Sequence, residues 1–481
     1  MVFSSLFFVL VFLVLCYGTY AFMPSMRSKN IVLLVSSLIF YSWGGVGFSI
    51  ILCTMTLICY FGALFIEAFP KSKKTSMVIT VALCIGILAF FKYTVFLLTN
   101  ISNIFSLPIT IPNIILPIGI SFYTFQLISY VVDVYRGEVK AQKKYWLLLL
   151  YSSLFSQCIA GPIVRYKDVN AEIHSRRATL SGISRGITRF CVGLAKKAII
   201  ANYCGYIIDK MTPDASLGIE GFKSLSALSI IFMGILYMIQ IYLDFSAYSD
   251  MAIGMGLMIG FHFCENFDYP YTATSVTQFW RKWHMSLSSF FRDYVYIPLG
   301  GNRCSTARHI FNIFIVWLLT GAWHGANWNY IIWGLFFFVF LTLEKYVFGF
   351  DKDPSSTLSK ILRHAYLLVV IFFSFIIFRF ENMAQLGRII LGIFTLNNNP
   401  FADASTYLYI KNNCFFFIAA IIACTPIVPF VHRKLYEASK NNGAVRALTH
   451  TLEIALPACL LMLSVFALAG DSFNPFMYRI F

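Results

Sequence analysis

Residues 317–340 read WLLTGAWHGANWNYIIWGLFFFVF, a run suited to a lipid bilayer, with His324 in its midst. The nearest formal charge upstream is Arg308, and the nearest downstream is Glu344. An ionisable ring in such a run is costly unless something satisfies or uses it. The rest of the chain says what solvent that ring sees.

Of 481 residues, 59% are hydrophobic and 12% charged, and 50 are Phe. A soluble domain carries about 25% charged residues. This deficit excludes a fully water-exposed surface and indicates an all-α, polytopic membrane protein. Lys and Arg outnumber Asp and Glu by 37 to 21. The bases sit in short loops between apolar runs, so they read as topology signals and contacts for anionic lipid head groups, with no nucleic-acid partner. The 12 cysteines include no CxxC pair and read as small buried hydrophobes. Met1–Met23 lacks a basic n-region and reads as a retained first helix.

Roughly eleven apolar runs approach the ~20 residues of a spanning helix: 3–22, 31–43, 48–66, 77–98, 114–134, 190–208, 226–243, 327–348, 365–379, 413–431 and 452–469. The runs 145–160, 247–263 and 310–322 look too short or broken and suggest re-entrant or tilted segments. Loops carrying Arg27 and Lys29, Lys71–Lys74, and Arg136–Lys144 are basic, whereas 99–113 is uncharged. The positive-inside rule puts the basic loops in the cytoplasm, and 99–113 and the N-terminus outside. The loop 397–412 goes outside and 432–450, with Arg433, Lys434, Lys440 and Arg446, inside. The middle, 161–310, does not resolve into alternating spans. Without visible repeats or a long soluble segment, 1–481 reads as one membrane-embedded domain.

From Val276 to Tyr294 the apolar residues Val276, Phe279, Trp280, Trp283, Leu287, Phe290, Phe291 and Tyr294 recur every three or four positions. That spacing predicts one amphipathic helix lying in the interface or lining a wet cavity, started by Thr277. Arg281, His284, Ser288 and Arg292 form its polar side. The bland alternative is an interfacial helix whose His284 faces water.

Small residues Gly321, Ala322, Gly325 and Ala326 surround His324, and Gly321 and Gly325 have the spacing of close helix contacts. A continuous helix would bring Thr320, Asn327 and Trp328 near the imidazole. Histidine takes and gives protons near neutrality, so it suits general base work. The bland alternative is a core histidine bonded to a carbonyl. In YLDFSAYSDMAIG (242–254), Asp244 and Asp250 interrupt an apolar region. They suit structural pairing with Arg281, Lys282 or Arg292, or a wet funnel. Asp133 has Arg136 as a ready partner. The basic stretch from Arg165 to Lys197 either enforces topology or attracts phosphates of a cytoplasmic donor. The chain has no P-loop, G-x-S-x-G elbow or H-E-x-x-H, and its histidines lack metal-ligand spacing.

Five runs belong together: GISFYTFQLISYVVDVYRG (119–137), QCIAGPIVRYKDV (157–169), YLDFSAYSDMAIG, FWRKWHMSLSSFFRDYVYIPLGGNR (279–303) and TGAWHGANWNYIIWG (320–334). They resemble the membrane-bound O-acyltransferase family, in particular its alginate O-acetyltransferase branch. The resemblance covers about Leu116 to Leu343, the motif-bearing core, and the ending SFNPFMYRIF also fits. It implies a helical bundle around a central tunnel, with His324 as catalytic base or acyl-transfer centre and His284 as a second polar group of the same site. Trp283, Asp293, Trp323, Asn327, Asp244, Asp250 and Ser288 are the candidate supporting residues. The resemblance also implies acetyl-CoA or another acyl thioester as donor substrate and no tightly bound cofactor. A separate extracytoplasmic polysaccharide acetyltransferase is implied as partner, and a bacterial-type cytoplasmic membrane as location. Asn327, the indole N–H of Trp323 or Trp328, or protonated His284 can serve the oxyanion. Two readings compete: D-alanyl transfer to teichoic acid within the same family, and a proton-coupled transporter, which would ordinarily show repeated halves.

Overall fold

The computed structural model describes residues 1–159, 161–350, 354 and 356–470. Among them every regular element is helical. The helices that frame the site are α1 (Val46–Ala68), α2 (Pro70–Phe105), α3 (Ile120–Arg136), α4 (Leu180–Met211), α5 (Ala227–Ile259), α6 (Val276–Trp280), α7 (Met285–Phe291), α8 (Thr306–His324), α9 (Trp328–Phe348), α10 (Thr357–Arg379) and α11 (Gly443–Gly470).

Seven helices among the described residues are long and apolar enough to cross a membrane, or eight if the bent pair Ala404–Asn412 and Cys414–Ala423 is one span. Hydropathy runs suggested about eleven. The two runs 226–243 and 247–263 prove to be one 33-residue helix, α5, because Asp244 and Asp250 are absorbed as ion pairs and do not break it. The run 310–322 belongs to α8, and 114–134 yields a 17-residue helix, α3. Helix Cys414–Ala423 ends before Pro426, and Ile427–Ser439 follows as a separate helix. The ending 472–481 lies outside the described residues.

α5 is buried along most of its length and α4 packs along it. Their backbones touch: a Cβ at Gly186 would stand 2.6 Å from the Gly254 carbonyl oxygen, and one at Gly254 2.7 Å from that of Gly186. Small residues allow this approach where lipid gives no hydrophobic drive. Across the same seam Lys197 meets Asp244 at 2.6 Å, both side chains almost fully buried. Asp250 accepts from Arg189 at 3.0 Å and from Lys196 at 2.7 Å. Both aspartates are thus paired structurally, but with α4 and not with Arg281, Lys282 or Arg292.

The polar loops gather at one end. Glu67, near the end of α1, accepts from the Ala141 N–H and the Lys143 ammonium, which joins the loops around 70 and 140. Asp133 accepts from the Tyr294 hydroxyl at 2.7 Å, with Lys167 at 4.0 Å, so its partners differ from the anticipated Arg136. Arg136 instead donates to the Asp293 carbonyl.

A buried pair is expensive to break because the survivor stays charged in apolar surroundings. Asp244→Ala alone is expected to destabilise the protein by about 3–5 kcal/mol, and the double change Asp244→Leu with Lys197→Met to recover most of that loss. Thermal unfolding of the detergent-purified variants checks both.

Candidate active site

The single amphipathic helix expected over 276–294 is two short helices with a turn between them. Ser275, not Thr277, caps α6 by accepting from the Gln278 N–H. Thr277 donates its N–H and hydroxyl to the buried Glu344 carboxylate. α6 ends at Trp280, and His284 stands before α7 in the left-handed region, with φ 44° and ψ 53°. That conformation is rare for a side chain with a Cβ and persists only where surroundings enforce it.

Asn266 supplies the enforcement. Its carbonyl oxygen accepts from the Met285 N–H at 3.0 Å, and its side-chain Oδ1 accepts from the Ser286 hydroxyl at 2.8 Å. The same Oδ1 lies 3.1 Å from His284 Nδ1. The Asn266 amide nitrogen donates to the Ser249 hydroxyl on α5 and faces the Gly161 carbonyl. With Oδ1 fixed as an acceptor, Nδ1 of His284 carries the proton and Nε2 keeps its lone pair. His284 is fully buried, and its Nε2 has no hydrogen-bond partner among the described residues. The turn therefore aims an unprotonated nitrogen into the bundle, which overturns the water-facing alternative.

His324 arrives from the other direction, as the last residue of α8. The chain then opens at Gly325 and Ala326, and Asn327 caps α9 through the Trp328 N–H. The helix does not continue, so Asn327 and Trp328 are drawn elsewhere. Asn327 faces Glu381, and the Trp328 indole donates to Asn100. Thr320 donates to the Val316 carbonyl of its own helix. The close-contact glycine of Gly321 is Gly334 and not Gly325. A Cβ at Gly321 would meet the Tyr330 carbonyl oxygen at 2.4 Å, and one at Gly334 the Trp317 carbonyl oxygen at 2.4 Å.

The two histidines pack against one indole. The Trp323 ring centroid is 4.9 Å from that of His324 and 5.9 Å from that of His284. Trp333 and Phe378 enclose the other sides of His324 at 4.8 and 5.3 Å. The indole N–H groups of Trp323 and Trp333 are buried without an acceptor among the described residues. A cavity of about 740 Å³ between α2, α3, α7 and α8 reaches Trp323, Ala322 and Lys92. Trp323 is its wall towards the histidines, an aromatic partition.

The other candidates support the frame. Trp283 packs in an aromatic cluster with Phe267, Phe279 and Phe375. Ser288 donates to the Trp280 carbonyl and ties α7 to α6. Asp293 binds Arg165 and Arg292. Burial opposes its charge, but hydrogen bonds from Arg292 and Arg165 prevail and hold its carboxyl below the usual range. Among the described residues no cluster of three or more His, Cys, Asp or Glu side chains suits a metal. Sequence reasoning passed over Asn266, Trp333 and Lys92. The one available signal was for Lys92, the single charge in the run 77–98.

Asn266→Leu is expected to lower acyl transfer at least about tenfold at matched membrane levels, because a ring freed to its other tautomer presents N–H where a lone pair stood. Acyl incorporation by membranes carrying each variant measures it.

Residues 144–387 match the model of the membrane-bound O-acyltransferase family. The chain is 35% identical to the probable alginate O-acetylase AlgI of Azotobacter vinelandii over 519 residues, 99% of each protein. It is 32% identical to a peptidoglycan O-acetyltransferase of Helicobacter pylori, over 76% of this chain and 73% of that protein. It is 29% identical to a teichoic acid D-alanyltransferase of Bacillus subtilis, over 56% of this chain and 68% of that one. A multi-pass helical protein with these motifs and this near-full-length similarity belongs to the membrane-bound O-acyltransferase family.

Proposed function

We propose that this acyltransferase moves an acetyl group from a cytoplasmic thioester, acetyl-CoA or another acyl thioester, through a bacterial cytoplasmic membrane for O-acetylation of a polysaccharide outside it. The observation that carries the reading is the pair of buried histidines that both pack against Trp323. His324 is the base. It takes the proton of the attacking hydroxyl as the oxygen bonds to the thioester carbon. The carbon–sulfur bond then breaks, and the leaving thiolate takes the proton back from the imidazolium. His284, with its Nε2 lone pair, orients the hydroxyl or shares its proton. The Trp323 indole N–H is the favoured donor to the oxyanion, because Trp328 and Asn327 are engaged elsewhere. The enclosure by Trp323, Trp333 and Phe378 keeps bulk water from the thioester and limits wasteful hydrolysis.

A separate extracytoplasmic acetyltransferase completes delivery to the polymer, and the N-terminus faces outside. D-Alanyl transfer is the second reading within the family. Acetyl transfer is preferred because the likeness to the O-acetylase extends over nearly the whole chain, whereas that to the D-alanyltransferase covers 56%.

His324→Ala removes a buried ionisable ring and leaves a small apolar side chain, so folding and insertion are expected to survive. Transfer should fall by about 10²–10⁴-fold. The measurement is base-releasable acetate in the envelope polysaccharide of cells with matched membrane levels of protein. Near-normal acetate removes His324 from the mechanism, and loss of the protein from the membrane makes the ring a structural one.

A further inference from the structure

Lys92 lies in α2, little more than one turn beyond the middle of the apolar run 77–98, and it is buried. A lysine at such a depth needs compensation. Among the described residues no carboxylate stands within ion-pairing distance of it. Its ammonium donates to the Trp323 carbonyl and lies 3.4 Å from the Ser121 hydroxyl of α3. It also sits 5.8 Å from the centroid of the Trp323 ring. The next residue, Tyr93, donates its hydroxyl to the Ala322 carbonyl.

These two acceptors belong to the last turn of α8, which ends at His324. The final carbonyls of a helix have no partner within it and carry the negative end of its dipole. A cation placed there answers both needs. The burden of burying Lys92 and the burden of burying a bare helix end thus offset each other. Neither Trp323 nor His324 can shift far without exposing both.

We infer that Lys92 is a positioning residue for acyl transfer: through the Trp323 carbonyl it fixes the end of α8, and with it the His324 ring and the indole against which both histidines pack. Tyr93 is the second arm of the same clamp. The inference rests on the proposed role of His324 as base. It concerns residues of α2, which carries none of the motifs that mark the family resemblance.

The test uses the full-length protein in membranes, with base-releasable envelope acetate per inserted molecule as the readout. Lys92→Met keeps most of the stem and removes both donor and charge. It should lower acetate at least tenfold. Lys92→Arg keeps both and should restore at least half of the wild-type value, a rescue that mere filling of space does not predict. Should Lys92→Met fail to accumulate, Lys92→Gln, a neutral donor, takes its place and should still fall at least threefold. Acetate within twofold of wild type in Lys92→Met, or in Lys92→Gln where it substitutes, overturns the inference. So does a loss that only tracks the amount of protein, or an Lys92→Arg variant no better than Lys92→Met. His324→Ala in the same assay separates the two failures. If it stays active, the base assignment has failed; if it is inactive while Lys92→Met is normal, only the clamp has failed.

Discussion

The site depends on the backbone contact between α8 and α9. Gly321 and Gly334 let the two helices meet with no side chain between them. That contact brings Trp333 against His324 and sets Tyr330 beneath Gly325. In a bilayer such an approach gains dispersion and removes lipid from the seam, but only where both residues are small. A methyl group at either position would press on a carbonyl oxygen of the opposite helix. The hairpin then ends in an open stretch of chain at membrane depth, which is tolerated because protein surrounds it.

Three of the polar groups that frame the site follow one pattern: each is satisfied across a helix boundary. Asn266 links the His284 turn to α5, Glu344 of α9 receives the start of α6, and the Lys92 ammonium of α2 receives the end of α8. Such bonds are far from one another in sequence and invisible to local periodicity. They bind short elements that could not hold a shape alone, since helices of five or seven residues are unstable in isolation.

This explains which parts were legible in the sequence. Composition gave the solvent, and apolar runs of about 20 residues pointed to spanning helices. His324 and His284 stood out because their neighbours are apolar or periodic. The 276–294 helix was misjudged because apolar spacing reports which residues are buried, not whether the backbone is continuous. Trp280, Trp283, Phe290 and Phe291 are all buried as their spacing suggests, although a left-handed residue divides them. The aspartate partners were missed because the bases that pair with them lie in α4, some fifty residues away. The number of spans was overcounted where apolar runs such as 114–134 and 413–431 fold into helices shorter than a span.

The Lys197–Asp244 pair also bears on how the chain enters a membrane. Either residue alone at the centre of an inserting helix would cost about 2.5–3.5 kcal/mol on a translocon scale. Once opposed, each charge shields the other from lipid. α4 and α5 are therefore easier to release from the insertion machinery together than one after the other. Pairing with α5 thus removes a cost that α4 would carry alone in lipid.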